Sequence, residues 1–218
     1  MKYDFFCEII RLIERMEVWH LNKKCVALTQ QEYEDSISLL RNGFILEGKQ
    51  IKPNERIATV EVLQACLGLR LGDVLQLRLD SFIKDGDRWR LDIQEQKTAK
   101  ERTFTVPLEI YSFIQEYAYK WCIKRSCKLF DVSTRQVERH LNKVFMKMNL
   151  PLRSYGSHSY RKFFATKIYI DNNYNDNNYN VEMVRVLLQH SSVATTQRYI
   201  GIQQKDIELA LQKHICLV

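Results

Sequence analysis

The sequence predicts a mainly α fold (class α+β) carrying one small antiparallel β-sheet. Three observations lead there. Turn-formers are scarce: 218 residues include 7 glycines and 3 prolines, well under the roughly 12% of an average chain. That suits long helices and argues against a barrel or sandwich of many short strands. Apolar residues recur at helical spacing over most of the chain, and 45% are hydrophobic against 27% charged, enough for a sizeable core. Only residues 82–107 switch to alternation with period two.

The elements follow in order. Residues 3–21 set Phe5, Phe6, Ile9, Ile10, Leu12, Ile13 and Met16 among charges, a helical pattern. Glu8, Arg11, Glu14 and Arg15 interrupt it, so it does not read as a signal peptide. No stretch reaches the roughly 20 apolar residues of a membrane span. After the basic break Asn22-Lys23-Lys24, Thr29 reads as a helix N-cap, with Glu32 closing a capping box. The main domain is expected over residues 28–218, and residues 1–27 as a helix and basic linker in front of it. Residues 56–78 read as two helices. RIATVEVLQACLG is poor in charge, hence buried, and stops at Gly68; the second opens at Gly72-Asp73 and continues through DVLQLRL. Asp85-Gly86-Asp87 is a turn, RWRLDIQ a strand, KTAK a turn and RTFTVPL a strand, a meander of about three strands. From 108 onward the pattern is helical. Ser133-Thr134 caps RQVERHLNKVFMKMN, and further helices are expected from Tyr160 to Ile170, Val181 to Gln189 and Gln203 to His214. DNNYN occurs at 171–175 and again at 176–180. Asparagine runs disfavour helix, so 171–180 is expected as an exposed loop.

Lysine and arginine number 33 against 26 aspartates and glutamates, a net charge of +7. That balance permits a polyanionic partner. The six cysteines are scattered, with neither CxxC nor CxxH spacing, so they read as reduced thiols that fill space, in keeping with a cytoplasmic protein. No carboxylate cluster of metal-ligand type and no glycine-rich phosphate loop appears, so neither metal nor cofactor is expected.

Two segments carry candidate chemistry. In Ser157-His158-Ser159-Tyr160-Arg161, His158 and Arg161 lie three apart at a helix start; they share a face, and a helix N-terminus favours an anion. Downstream, LLQHSSVATTQRY ends one helix at His190, turns at Ser191-Ser192 and restarts at Thr195-Thr196, with Tyr199 nine residues past His190. This segment resembles the C-terminal signature of the tyrosine recombinases, the phage integrase family, in which the tyrosine is the nucleophile. Cys66-Leu67-Gly68-Leu69-Arg70-Leu71-Gly72-Asp73 resembles the family box that supplies the first catalytic arginine, here Arg70, with Asp73 as its acidic support. Gln96-Lys97-Thr98-Ala99-Lys100 falls where the family carries a catalytic lysine in a β-hairpin; Lys97 is the better match and Lys100 the alternative. His158, Arg161 and His190 fit the remaining positions. The likeness runs from about Leu28 to Gly201.

The resemblance implies a site-specific DNA recombinase that cleaves and rejoins strands through a 3′-phosphotyrosine, without metal or ATP. Two arginines suit the charge that builds on the non-bridging oxygens. Tyr199, with an ordinary pKa of about 10, needs His158 to accept or orient its proton. Lys97 can protonate the leaving 5′ oxygen, and His190 can donate to the phosphate. Two other readings remain open at this point: a type IB topoisomerase-like nicking and closing enzyme, and a DNA-binding regulator that no longer cuts. The expected partners are double-stranded DNA and further subunits assembled on it, as a tetrameric synapse, the free protein being a monomer. Arg135, Arg139, Lys143 and Lys147 fall on one helical face; this stripe either follows DNA phosphates or is an ordinary solvated face. Members of the family usually carry a separate helical domain before the catalytic one, for which residues 1–27 are a remnant or a substitute. The last helix, with Ile207, Leu211 and Ile215 on one face, either docks on a neighbouring subunit or packs on its own domain.

Overall fold

The computed structural model describes residues 25–97, 99–176 and 181–200. The helices expected over 3–21 and from Gln203 lie outside them. Helix α1 spans Gln30–Asn42, and the capping box forms as expected: Thr29 accepts from the Glu32 N–H, and Glu32 reaches back to the Thr29 N–H. A short hairpin follows, β1 Phe44–Leu46 paired with β2 Lys49–Ile51. Its two-residue turn, Glu47-Gly48, has positive φ at both positions, the geometry that matches strand twist.

Helix α2, Glu55–Leu67, is the central rod, with nine of its residues buried. It ends at Gly68 in the left-handed region, φ 58 and ψ 28. Only glycine fits there, because a Cβ would run into the Phe164 ring. The second expected helix shrinks to one turn, α3 Leu71–Val74. Residues 75–78 instead turn away, and Leu77 O accepts from Leu129 N–H, so tertiary pairing overrides local helical periodicity.

The meander forms as β3 Phe82–Asp85, β4 Arg88–Gln94 and β5 Glu101–Val106, all antiparallel. Phe82, Leu91 and Val106 point into the core, and Trp89 stacks on Tyr111 at 3.6 Å, fixing the sheet against α4, Leu108–Lys120. Helix α5, Thr134–Lys147, is capped by Ser133 and Gln136. Helix α6, Ser157–Asp176, packs along α2 and crosses from the main core into a second, smaller cluster. That cluster joins Phe164 and Ala165 to Val184 and Leu188 of α7, Val181–Leu188, and to Ile200 of α8, Val193–Ile200.

Helix α6 differs from expectation at both ends. It starts three residues before Tyr160 and runs through the first DNNYN copy instead of ending in a loop at 171. Asparagine costs a helix only about 0.7 kcal/mol per residue, and Phe163, Phe164 and Ala165 anchor the helix in the two cores. An i,i+4 ion pair of Lys167 with Asp171, at 3.7 Å, supports that turn. The last four residues of the second copy lie outside the described residues.

Candidate active site

The site forms where the C-terminal end of α2, the N-terminal end of α6 and the α7–α8 turn meet. Gly68 reverses the chain, Leu69 is fully buried, and Arg70 follows in extended conformation as the N-cap of α3. Its guanidinium pairs with Glu95, whose side chain is sealed from solvent at the end of β4. Among the described residues no side-chain hydrogen bond or ion pair joins Asp73, the expected acidic support, directly to Arg70. The Asp73 Oδ1 accepts from the Gln96 N–H at 2.9 Å, so it anchors the hairpin base, and Glu95 takes the place beside Arg70.

The hairpin turn is closed by Glu95 N–H to Lys100 O, 2.9 Å, and by Ala99 N–H to Glu95 O, 2.8 Å. Lys97 and Lys100 are both exposed on it. The charge of Lys97 is felt at His158, whose pKa it helps to lower.

Helix α6 begins at Ser157, whose Oγ donates to Gln64 Oε1 at 2.8 Å. His158 faces outward, and Arg161, one turn on, is 1% exposed. Arg161 Nη2 donates to Leu188 O at 2.9 Å, tying α6 to the end of α7. Its Nη1 is buried with no hydrogen-bond partner among the described residues. Gln189 takes a left-handed conformation, φ 53, and His190 N–H donates to Arg185 O at 3.0 Å. Arg185, itself paired with Glu182, donates in turn to His190 O at 2.9 Å. Helix α8 restarts at Val193, two residues earlier than expected, because Ser192 Oγ accepts from the Thr195 N–H. Its second turn brings Tyr199 inward, edge-on to His190 at 4.8 Å and to His158 at 6.1 Å between ring centroids. The Tyr199 hydroxyl is buried and, among the described residues, has no well-formed hydrogen bond.

Electrostatics couple these groups. Burial pushes the Tyr199 phenol up, while Arg161 beside it pulls down, with help from Arg70. Desolvation and then the charge of Arg161 lower His190 to about 4, and His158 is lowered by the same two causes in the same order. Both imidazoles are therefore neutral at pH 7 in the free protein. His190 Nδ1 lies 3.0 Å from Thr196 Oγ1. The recess thus gathers Arg70 and Arg161 beside Tyr199, a concentration of positive charge that suits an anion.

The structure thus brings Arg70, His158, Arg161, His190 and Tyr199 together, with Lys97 at the rim. It also adds three residues that sequence reasoning passed over. Glu95 stands between two glutamines beside the turn, where a lone acid reads as solvated, and Lys162 places its Nζ 5.1 Å above the Tyr199 ring. Arg102 left a signal that went unused: it occupies an inward register position of β5. Arg135, Arg139, Lys143 and Lys147 lie elsewhere. Arg139 and Lys143 border a cleft of about 490 Å³ beside Asn54 and Arg56, at the far end of α2, about 18 Å along the helix from Leu67. No group of three or more His, Cys, Asp or Glu among the described residues is placed to hold a metal ion. None of the described helices is long and apolar enough to cross a membrane.

No curated protein matches the chain by sequence. Among solved structures it is similar to the XerH site-specific recombinase bound to its difH substrate in a pre-cleavage complex. That match has a TM-score of 0.61 and 18% identity, over 88% of this chain and 55% of that one. It is also similar to XerA recombinase, TM-score 0.60 and 18% identity, over 89% and 66%. The catalytic domain of bacteriophage HP1 integrase matches with TM-score 0.57 and 16% identity, over 88% and 96%. The chain thus spans roughly half to two thirds of the first two and nearly all of the third, and likeness at such identity concerns the fold. The sequence model of the phage integrase family matches residues 27–206, most of the chain, and the protein belongs to that family.

Proposed function

We propose that this protein cleaves and rejoins DNA at specific sites, with Tyr199 forming a transient bond to the 3′ phosphate. The observation that carries the reading is the approach of two buried groups in one recess, Arg161 Nη1 and the Tyr199 hydroxyl, which interact with each other and have no other hydrogen-bond partner among the described residues, with Arg70 and two neutral imidazoles around them. A scissile phosphate seated there accepts from Arg70 and Arg161, whose planar guanidiniums stabilise the charge that grows on its non-bridging oxygens. The anion offsets the burial of the phenol's cationic neighbours, and neutral His158 is free to take or orient the Tyr199 proton. Attack forms the tyrosine–phosphorus bond and breaks the bond to the 5′ oxygen, which gains a proton from Lys97. The phosphotyrosyl bond conserves the phosphodiester energy, so a 5′ hydroxyl reverses the step without ATP. His190 donates to the phosphate once the bound anion raises its pKa. The working unit assembles from several subunits on double-stranded DNA.

The test uses a nicked duplex pool with one fixed scissile position and randomised flanks, since the nick lets the short 5′ fragment escape and traps the adduct. Wild-type protein should give a covalent species on a denaturing gel, and sequencing its DNA gives the preferred site. No adduct from the pool, or equal adduct from Tyr199→Phe, overturns the proposal. Strand exchange between two duplexes then separates recombination from nicking and closing.

A further inference from the structure

Alternation along β5 puts Arg102, Phe104 and Val106 on the inward face. Two of these are apolar, as that face requires. The third is an arginine that is only 4% exposed. Its Nη1 donates to Gly68 O at 3.3 Å, and its Nη2 to Leu67 O at 3.2 Å and Leu187 O at 2.5 Å. Nη1 also lies 3.9 Å from Glu95 Oε1, and the guanidinium rests over the Phe104 ring at 4.6 Å. Leu67 and Gly68 close α2 just ahead of Arg70. Leu187 lies in the last turn of α7, three residues ahead of His190. Glu95 is the partner of Arg70 and opens the turn that carries Lys97. A neighbour repeats one of these ties, since Gln189 Nε2 donates to Glu101 O at 3.0 Å.

We propose that Arg102 is a positioning residue that holds the Arg70, Lys97 and His190 segments in register with one another; this rests on the strand-cleavage reading above. The planar fork suits the task, because one guanidinium presents five donors in fixed directions and a lysine cannot span three carbonyls. It also satisfies carbonyls left open at the C-terminal ends of two helices, where a cation is favoured. A purely architectural role explains the placement poorly. A third guanidinium here stands near Arg161 and Arg70, and burial followed by the charge of Arg161 lowers its pKa to about 10, with Glu95 opposing. An apolar residue would fill an inward strand position without that repulsion. Lys97 sits on the strand connection that Arg102 fastens, so seating of the hairpin and alignment of the two phosphate-binding segments become one event.

The test uses the full chain with Arg102→Met and Arg102→Lys. Two arms are read: amide hydrogen exchange of the free protein, and the rate of adduct formation on the nicked pool with oxygen or sulfur at the bridging 5′ position. Arg102→Met should exchange about tenfold faster at 66–70 and at 187–191. It should form adduct about thirtyfold more slowly on the oxygen substrate while binding the pool within about threefold of wild type. Sulfur should restore the rate only in part, because it removes the need for Lys97 but not for aligned phosphate-binding groups. Arg102→Lys should recover melting temperature but not the rate, which an architectural role does not predict. Wild-type adduct rates in Arg102→Met, full rescue by sulfur, or unchanged exchange at both segments each overturn the proposal. Faster exchange with no adduct from wild-type protein overturns the strand-cleavage reading instead.

Discussion

Glu95→Gln removes one charge and almost no volume from beneath Arg70. The lost carboxylate touches Arg70 directly and lies 3.9 Å from Arg102, and its side chain has no solvent exposure. At an effective dielectric of about 20, each attraction is worth about 4 kcal/mol. The Arg70 share is smaller, since that side chain is 22% exposed and screened. Against the loss stands the several kcal/mol of desolvation that Glu95 itself suffers, which the variant recovers. One-sided removal of a buried pair nets to about 3–5 kcal/mol of lost stability. In a domain of this size that lowers the melting temperature by about 10 °C. Arg70, Arg102 and Arg161 then face one another without their counter-charge, so an added anion should substitute for it. Thermal melts with and without sulfate read both effects, the variant gaining more from sulfate than the wild type does. A variant that melts within about 2 °C of wild type, or that responds to sulfate no more than wild type, refutes the idea that Glu95 balances this cluster.

Four further outcomes are expected. Tyr199→Phe should lose the covalent adduct with DNA affinity unchanged in a gel shift, because the ring remains and only the attacking oxygen goes. A bridging 5′ sulfur should largely restore adduct formation by Lys97→Ala and not by Arg70→Ala; restoration of Lys100→Ala in its place transfers the proton donor to Lys100. Gly68→Ala should destabilise the fold by about 1–3 kcal/mol through left-handed strain and overpacking, seen as a lower denaturant midpoint, since its Cβ meets Phe164. For pH, His190 is held at about 4 against an ordinary 6.5, so the folded protein binds fewer protons than the unfolded one between those values. Stability from this group is complete above pH 6.5 and falls as pH drops towards 4. A bound phosphate favours the protonated ring, so DNA affinity should rise several-fold from pH 7 to pH 5, and His190→Gln should flatten that rise.

Much of this molecule can be read from single residues. Thr29 with Glu32 and Ser133 with Gln136 mark two helix starts in the chain itself, because capping is local chemistry. The switch to period two marks the meander for the same reason. The β1–β2 hairpin left no such mark: three residues on each side are too few to alternate. The family box suggested Asp73 as the acidic support of Arg70, but Arg70 stands outside α3 as its cap, and no side-chain pairing joins the two among the described residues. The acidic partner of Arg70 arrives from 25 residues downstream, through a strand pairing that no local pattern reveals. The DNNYN tract shows the same limit, since a weak local preference yields where neighbouring turns are already anchored by packing.

The cross-ties beneath the site have an evolutionary consequence. A duplication of five residues inside a continuous helix rotates everything after it by about 140°, which would swing His190 away from Arg161 if α6 and α7 were one rod. They are not; Leu188 O and Leu187 O are gripped by Arg161 and Arg102 from other parts of the chain. The seat of α7 is thus independent of whatever covalent path reaches it. A length change in the α6–α7 connection therefore need not disturb the contacts that seat Leu187 and Leu188. Opened within 171–180, the polypeptide should yield two fragments that still associate, as co-purification of the two would read.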